Sequence, residues 1–411
     1  VVKEKEATKV ASKVVAREEF LAHSPVKLVD EIIIRAYNEK ASDIHVEPWE
    51  HECRVRIRID GDLISIGKYK KEIHEETMAR LKVLSSLRTD VRTVPQDGRF
   101  RVNVSGTSVS IRISIIPSFF GEKAVLRLLP QGLSNHSLKN LGFSDSDQKK
   151  ILDILGISHG MVLVVGPTGS GKTTTLYTLL QKISKPDIAT VTLEDPIEFC
   201  IPGVTQIPIH GGGSLTFSSA LRAVVRQDPD IIMLGEIRDA TTAELSVHAA
   251  LTGHLVLSTL HTNDAVTGLL RLIDMGVEPF LVASTVRAII SQRLVRKICF
   301  ACVYKRKVTK SDFDFIEKYS LGSTAKEIET LAEGKGCDQC RGTGYVGRMV
   351  ITETLVLDEK IRELVMQKAS SVEIKARAIE SGMIPIVQDA IEKMIAGKTT
   401  IEEIATHCHE H

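Results

Sequence analysis

The stretch Met161–Thr175, MVLVVGPTGSGKTTT, constrains this chain more than any other. A short apolar run ends in a glycine-rich turn and reopens on a lysine and three threonines, which predicts a buried strand feeding a helix through a tight loop. Backbone N–H groups of such a loop wrap phosphate oxygens, and the helix N-terminus adds positive potential. Gly166, Pro167, Thr168, Gly169, Ser170, Gly171, Lys172, Thr173 and Thr174 are therefore the candidates for binding a nucleotide. Lys172 has the reach for the β- and γ-phosphates of ATP, and the Thr173 hydroxyl suits Mg²⁺.

The pattern around this loop predicts an α/β domain. Apolar runs MVLVV, ATVTL, DIIMLG and HLVLSTL alternate with helical stretches between about 160 and 296, as in a largely parallel buried sheet. Residues 24–132 read differently, as a small α+β domain. Val26, Val29, Ile33 and Ala36 predict the buried face of a helix opened by Ser24 and Pro25. Cys53, Val55, Ile57 and Ile59 alternate with Arg54, Arg56 and Arg58, and Val109–Ile115 repeats the alternation with Arg112 on the polar side. One sheet face is thus rich in arginine, either to solvate an exposed surface or to meet an anion. Residues 1–23 are highly charged and read as a linker or partial segment opening on Val1 without an initiator Met, as a truncated chain would. Pro, Gly, Asn and Ser punctuate a second linker at 133–144. The remaining divisions are an ATPase domain at 145–296, a cysteine-bearing element at 297–348 and a helical region at 349–411. Thr400 and Glu403 predict a capping box for a last helix.

Composition excludes rather than selects. With 53 basic and 52 acidic residues, the net charge of +1 gives no bulk attraction for nucleic acid. No apolar run approaches the ~20 residues of a membrane span. The 4% of aromatic residues predicts aliphatic cores.

A phosphate site needs carboxylates on neighbouring strands. TLEDPIE offers Glu194, Asp195 and Glu198, and DPDIIMLGEIRD offers Glu236 at the end of another apolar run. One carboxylate could hold the Mg²⁺ shell and the other polarise water. TGHLVLSTLHTNDA places His254 before a strand and His261 after it, where an imidazole could sense the γ-phosphate. Cys299-x-x-Cys302 and Cys337-x-x-Cys340 are two knuckles whose four thiolates suit a tetrahedral Zn²⁺. Cys53, Cys200 and Cys408 have no partner by spacing.

Four blocks, GPTGSGKTTT, TLEDPIE, DPDIIMLGEIRD and TGHLVLSTLHTNDA, occur together and in order. They resemble the Walker A, Asp box, Walker B and His box of the secretion ATPase superfamily. ASDIHVEP, RIRIDGDL and VPQDGRF upstream, and SQRLVRKIC and GYVGRMVITETL downstream, extend the resemblance over nearly the whole chain. It implies a RecA-like core preceded by a PAS-like α+β domain. It further implies Glu194 as general base, Glu236 acting through Mg²⁺, and His261 at the γ-phosphate. Arg99, expected at a loop tip after PQDG, and Arg112 would be offered to the phosphates of a neighbouring subunit.

The four cysteines resemble those of the assembly-type branch, which serves type II secretion and type IV pilus extension. That branch implies a hexameric cytoplasmic ATPase at the bacterial inner membrane, with a platform protein and a recruiting protein as partners and pilin-like subunits as cargo. Relatives usually carry a further N-terminal domain that nothing here matches. Two rivals remain at this point: a nucleic-acid or conjugation motor, which needs a basic channel, and a nucleotide-gated scaffold, which needs missing catalytic groups.

Overall fold

The computed structural model describes residues 20, 24–129, 137–209, 215–319 and 328–407. It comprises two compact units, residues 1–131 and 132–411. The expected linker at 1–23 lies almost wholly outside the described residues, as do Cys408 and the segment around it.

Among the described residues the first unit is one antiparallel sheet with two α-helices. Its strands are β1 (Asp43–Pro48), β2 (Glu52–Ile59), β3 (Asp62–Lys70), β4 (Gln96–Val104), β5 (Thr107–Ser118) and β6 (Gly121–Leu129), in the order β3-β2-β1-β6-β5-β4. Alternation decides the faces: Cys53, Val55, Ile57, Val109, Ile111, Ile113 and Ile115 are buried, and their polar neighbours are not. The helix Pro25–Asn38 packs with this core, but its stripe is shifted from the expected one. Leu28, Val29, Ile32, Ile33 and Ala36 are inside, whereas Val26 is exposed. Val26 lies in the first turn, beyond the edge of the buried surface.

The second unit holds a seven-stranded sheet of β7 (Gly160–Val165), β8 (Thr190–Glu194), β9 (Thr205–Pro208), β10 (Ile231–Leu234), β11 (Leu255–Leu260), β12 (Val286–Ile298) and β15 (Tyr345–Val356). The order is β15-β12-β7-β11-β10-β8-β9, parallel throughout except for the β12/β15 pair. Successive side chains of β7 serve opposite layers. Val162 and Val164 pack with Leu176, Leu179 and Leu180 of the helix Lys172–Ile183, while Met161, Leu163 and Val165 face Val247, Leu269 and Val282. This is the expected α/β core. The region from 349 onward, expected to be helical, instead begins within β15, which completes the sheet before four helices follow.

Two local expectations need correction. Residues 137–144 are not a free linker. Ser137 caps a short helix Leu138–Leu141, and Leu138 and Phe143 are buried beside Ile151 and Leu176. Polar punctuation hid two apolar anchors. The capping box is half made: Glu403 N–H donates to Thr400 Oγ1, but the Glu403 carboxylate accepts from Arg296 N at 2.8 Å and Arg296 Nε at 2.8 Å. A charged donor from β12 outcompetes the local backbone.

The cysteine element is a ribbon of β13 (Val303–Lys307) and β14 (Thr330–Gly334) flanked by the two knuckles. The four sulfurs lie within 4.8 Å of one another, with contacts of 3.7 Å for Cys302–Cys340 and Cys337–Cys340 and 3.9 Å for Cys299–Cys337. A sulfur tetrahedron around a zinc at ~2.3 Å has edges near ~3.8 Å. The donor set therefore fits a tetrahedral metal. Burial works against the Cys340 thiolate, but N–H groups of Cys337 and Gly344 outweigh it and bring the thiol to about 7. The chain closes so tightly around the second knuckle that a Cβ on Gly334, before it, would lie 2.1 Å from Gly344 O, after it.

Phe143→Ala should lower unfolding stability by about 3–5 kcal/mol, as for a buried aromatic. Denaturant titration checks this; a change below ~1 kcal/mol would restore the linker reading.

Candidate functional site

Four adjacent parallel strands deliver the four motifs to one edge of the sheet. Lys172 follows β7, His261 follows β11, Glu236 follows β10 and Glu194 ends β8. Carboxyl ends of parallel strands are where α/β sheets bind ligands.

The loop 166–171 is shaped by close approach. Gly166 has φ 148°, and a Cβ there would sit 2.4 Å from Gln292 O and 2.8 Å from Ser170 Oγ. Gln292, in β12 and fully buried, donates from Nε2 to Ser170 O at 2.7 Å and accepts at Oε1 from Thr175 Oγ1 at 2.8 Å. The side chain of Ser170 is buried, and its Oγ has no hydrogen-bond partner among the described residues. A buried orphan hydroxyl beside converging N–H groups fits a phosphate cradle. Lys172 Nζ donates to Gly166 O at 2.8 Å and Pro167 O at 3.0 Å. Burial holds its pKa below the ordinary lysine range, against the pull of Glu236.

Glu236 stands between an arginine and a histidine. Arg238 donates to its Oε1, and His261 Nε2 lies 3.4 Å from Oε2. Burial pushes the carboxyl up, but the Arg238 hydrogen bond and charge, with His261, bring it below its usual range. Glu236 thus stays ionised beside Lys172, as a metal-shell carboxylate requires. Thr173, half-buried at the helix start, supplies a second oxygen of the type Mg²⁺ takes.

Glu194 is in another environment. It is buried, and Oε1 accepts from Thr192 Oγ1 at 2.5 Å and Gln206 Nε2 at 3.1 Å, while Oε2 accepts from the Tyr177 hydroxyl. Burial first, then Glu194 itself, pushes the Tyr177 phenol up, so it remains a donor. Gln292, Arg238 and Tyr177 escaped the sequence reading. Only Arg238 carried a local signal, two residues after Glu236. His254 belongs elsewhere: its Nδ1 meets Ala249 O at 2.8 Å at the end of a helix.

Arg99 is not at a loop tip. It lies inside β4, directly opposite Arg112 of β5, which is opposite Arg127 of β6. PQDG enters the strand instead of forming its turn. Among the described residues no carboxylate pairs with Arg99 or Arg112. Arg54, Arg56, Arg58 and Arg127 on the same face are paired with Glu52, Glu47 and Asp43.

Residues 21–406 match the family described as type II/IV secretion system protein. The chain is 43% identical over 380 residues to the type IV pilus assembly ATPase PilB of Myxococcus xanthus, covering 92% of this chain and 67% of that protein. It is 42% identical over 379 residues to type II secretion system protein E of Pseudomonas aeruginosa, covering 92% and 74%. It is 41% identical over 378 residues to PilB of Thermus thermophilus, where 92% of this chain spans only 42% of the relative's length. Among solved structures, the pilus retraction motor PilT with bound ADP aligns at TM-score 0.64 and 26% identity, covering 92% of this chain and 96% of PilT. The Legionella pneumophila ATPase DotB aligns at TM-score 0.70 and 21% identity, covering 95% and 97%, which speaks to the fold. The chain belongs to the type II/IV secretion system protein family, whose relatives here are named as type II secretion proteins and pilus-assembly ATPases; its own structure is an α/β fold with a four-cysteine cluster.

Proposed function

We propose that this chain hydrolyses ATP to drive assembly of pilin-like subunits, in type II secretion or pilus extension. The observation that carries the reading is the convergence of Lys172, Glu236, Arg238 and His261 at the ends of adjacent parallel strands beside the phosphate loop. The names of the relatives, pilus assembly and type II secretion, support this cargo class. The acting form is a homo-hexameric ring at the cytoplasmic face of the inner membrane, working through a platform protein and a recruiting protein. No helix among the described residues is long and apolar enough to cross a membrane.

In this reading loop N–H groups and Lys172 bind the β- and γ-phosphates, and His261 reports on the γ-phosphate. Mg²⁺ held by Thr173 and the Glu236 shell would neutralise charge on the phosphate oxygens. Glu194 takes the proton of the attacking water after one of its present donors lets go. Arg99 and Arg112 supply guanidinium groups to a neighbour's phosphates, since two like charges opposite each other on adjacent strands repel and gain from an anion. Cys299, Cys302, Cys337 and Cys340 hold a structural Zn²⁺.

Lys172→Ala should abolish hydrolysis. Glu194→Gln should bind ATP but lose about 10²-fold or more in turnover. Wild-type turnover in Glu194→Gln together with an inactive Glu236→Gln would reverse their roles. Metal analysis should return one zinc per chain, and chelation should unfold the ribbon, because structural zinc contributes on the order of 10 kcal/mol. Protein purified without chelator yet free of zinc would refute this part. Arg99→Ala should cut turnover by roughly a thousandfold if its guanidinium meets the transferring phosphoryl group. Mixed rings of Arg99→Ala and Lys172→Ala chains should regain activity; mixed rings that stay inactive would place Arg99 in its own subunit's site or in the fold alone.

A further inference from the structure

The phosphate chemistry leaves several buried carboxylates unused, Glu353 among them. Glu353 lies in β15 at 1% exposure, opposite Ser291 of β12. Its Oε1 accepts from Ala265 N at 3.1 Å and its Oε2 from Ile386 N at 3.4 Å. These are the first residues of the helices Ala265–Asp274 and Ile386–Ile395. One carboxylate thus receives the positive ends of two helices, an arrangement that favours its charge despite burial. Burial still pushes the Glu353 carboxyl up, against the Ala265 N–H and the charge of Lys375.

The first of these helices begins just after His261. Asp264 caps it by accepting from Thr267 N at 2.6 Å, Thr262 Oγ1 donates to Asp264 O at 3.2 Å, and Ser291 Oγ donates to Asn263 O at 3.4 Å. The segment between His261 and Ala265 is short and bonded along its length, so a shift at Ala265 must move the imidazole. His261 in turn lies against Glu236.

We propose that Glu353 is a positioning residue for His261: by holding Ala265 and Ile386 on one carboxylate, it sets the imidazole beside Glu236 and ties that placement to the helix Ile386–Ile395. The inference rests on the reading of His261 as a group acting at the γ-phosphate. Coupling here needs no remote pathway, because each step is a hydrogen bond or a short bonded loop.

The test is a double-mutant cycle in the full chain, read as steady-state ATP hydrolysis. Glu353→Gln keeps one acceptor but turns an amide N–H toward a backbone donor. It should lower kcat roughly 3- to 30-fold, with KM for ATP within about twofold. In a His261→Ala background the same substitution should have no further effect on kcat. Hydrogen exchange across 261–268 should quicken in Glu353→Gln while the cysteine ribbon stays unchanged. Should Glu353→Gln fail to fold, Ala265→Pro removes the same N–H at a first helical position, where proline is tolerated, and Asp264 before it is already extended at φ −141° and ψ 172°. Ala265→Pro should show the same kcat loss and the same dependence on His261. Additive losses in the cycle, or unchanged kcat in a folded Glu353→Gln, overturn the proposal. Wild-type turnover in His261→Ala alone overturns the reading of His261 beneath it.

Discussion

The close approach of β12 to the loop after β7 organises this molecule. Gln292 presents its backbone oxygen where only a glycine fits at 166, and its amide grips Ser170 and Thr175 on either side of the lysine. The same strand continues past the site. Ser291 bonds the His261 loop, Arg296 holds Glu403 and stacks on Tyr345 at 4.3 Å, and the strand ends next to Cys299. A single extended segment therefore links the phosphate loop, the histidine loop, the last helix and the cysteine cluster. Strands are stiff along their length, and this one is paired on both sides. Its register is consequently a condition for the whole site.

The N-terminal sheet shows a second kind of constraint. Its open face carries many basic groups, yet they divide sharply. Around β1, Asp43 and Glu47 each gather two cations, Arg58 with Arg127 and Arg56 with Lys123. Both carboxylates are buried beneath their partly exposed cations, and each pair cancels the local field. Toward β4 and β5 the cancellation stops at Arg112 and Arg99. The arginine-rich face therefore divides into a half whose charges are paired within the sheet and a half, at Arg99 and Arg112, whose charges no carboxylate of the described residues meets.

What the sequence made legible was local. The phosphate loop, the alternating strands β2 and β5, the apolar runs of β8, β10 and β11 and the cysteine knuckles each carry their signal within a few residues. What it hid was set by distance along the chain. Thr175 and Gln292 are 117 positions apart, and Ala265 and Glu353 are 88 apart. No spacing rule reaches across such intervals. Nor does residue type help: a glutamine within a polar-looking SQR triplet reads as exposed, whereas burial and two hydrogen bonds make it part of the site. The expectation for Glu403 failed for the same reason, since a remote arginine offered a stronger bond than the helix's own N-terminus.

The contrast between the two catalytic candidates follows from which elements meet each. Glu236 is met by Arg238 and His261, charged or chargeable groups at the sheet's edge. Glu194 is met by neutral donors inside the protein, and one of them, Tyr177, belongs to the helix that begins at Lys172. Tyr177 is also packed edge-on against Phe199 at 4.4 Å, so its hydroxyl cannot swing independently of that helix. The Tyr177–Glu194 bond thus joins the helix that follows the phosphate loop to the carboxylate at the end of β8, and burial leaves that carboxylate to neutral donors.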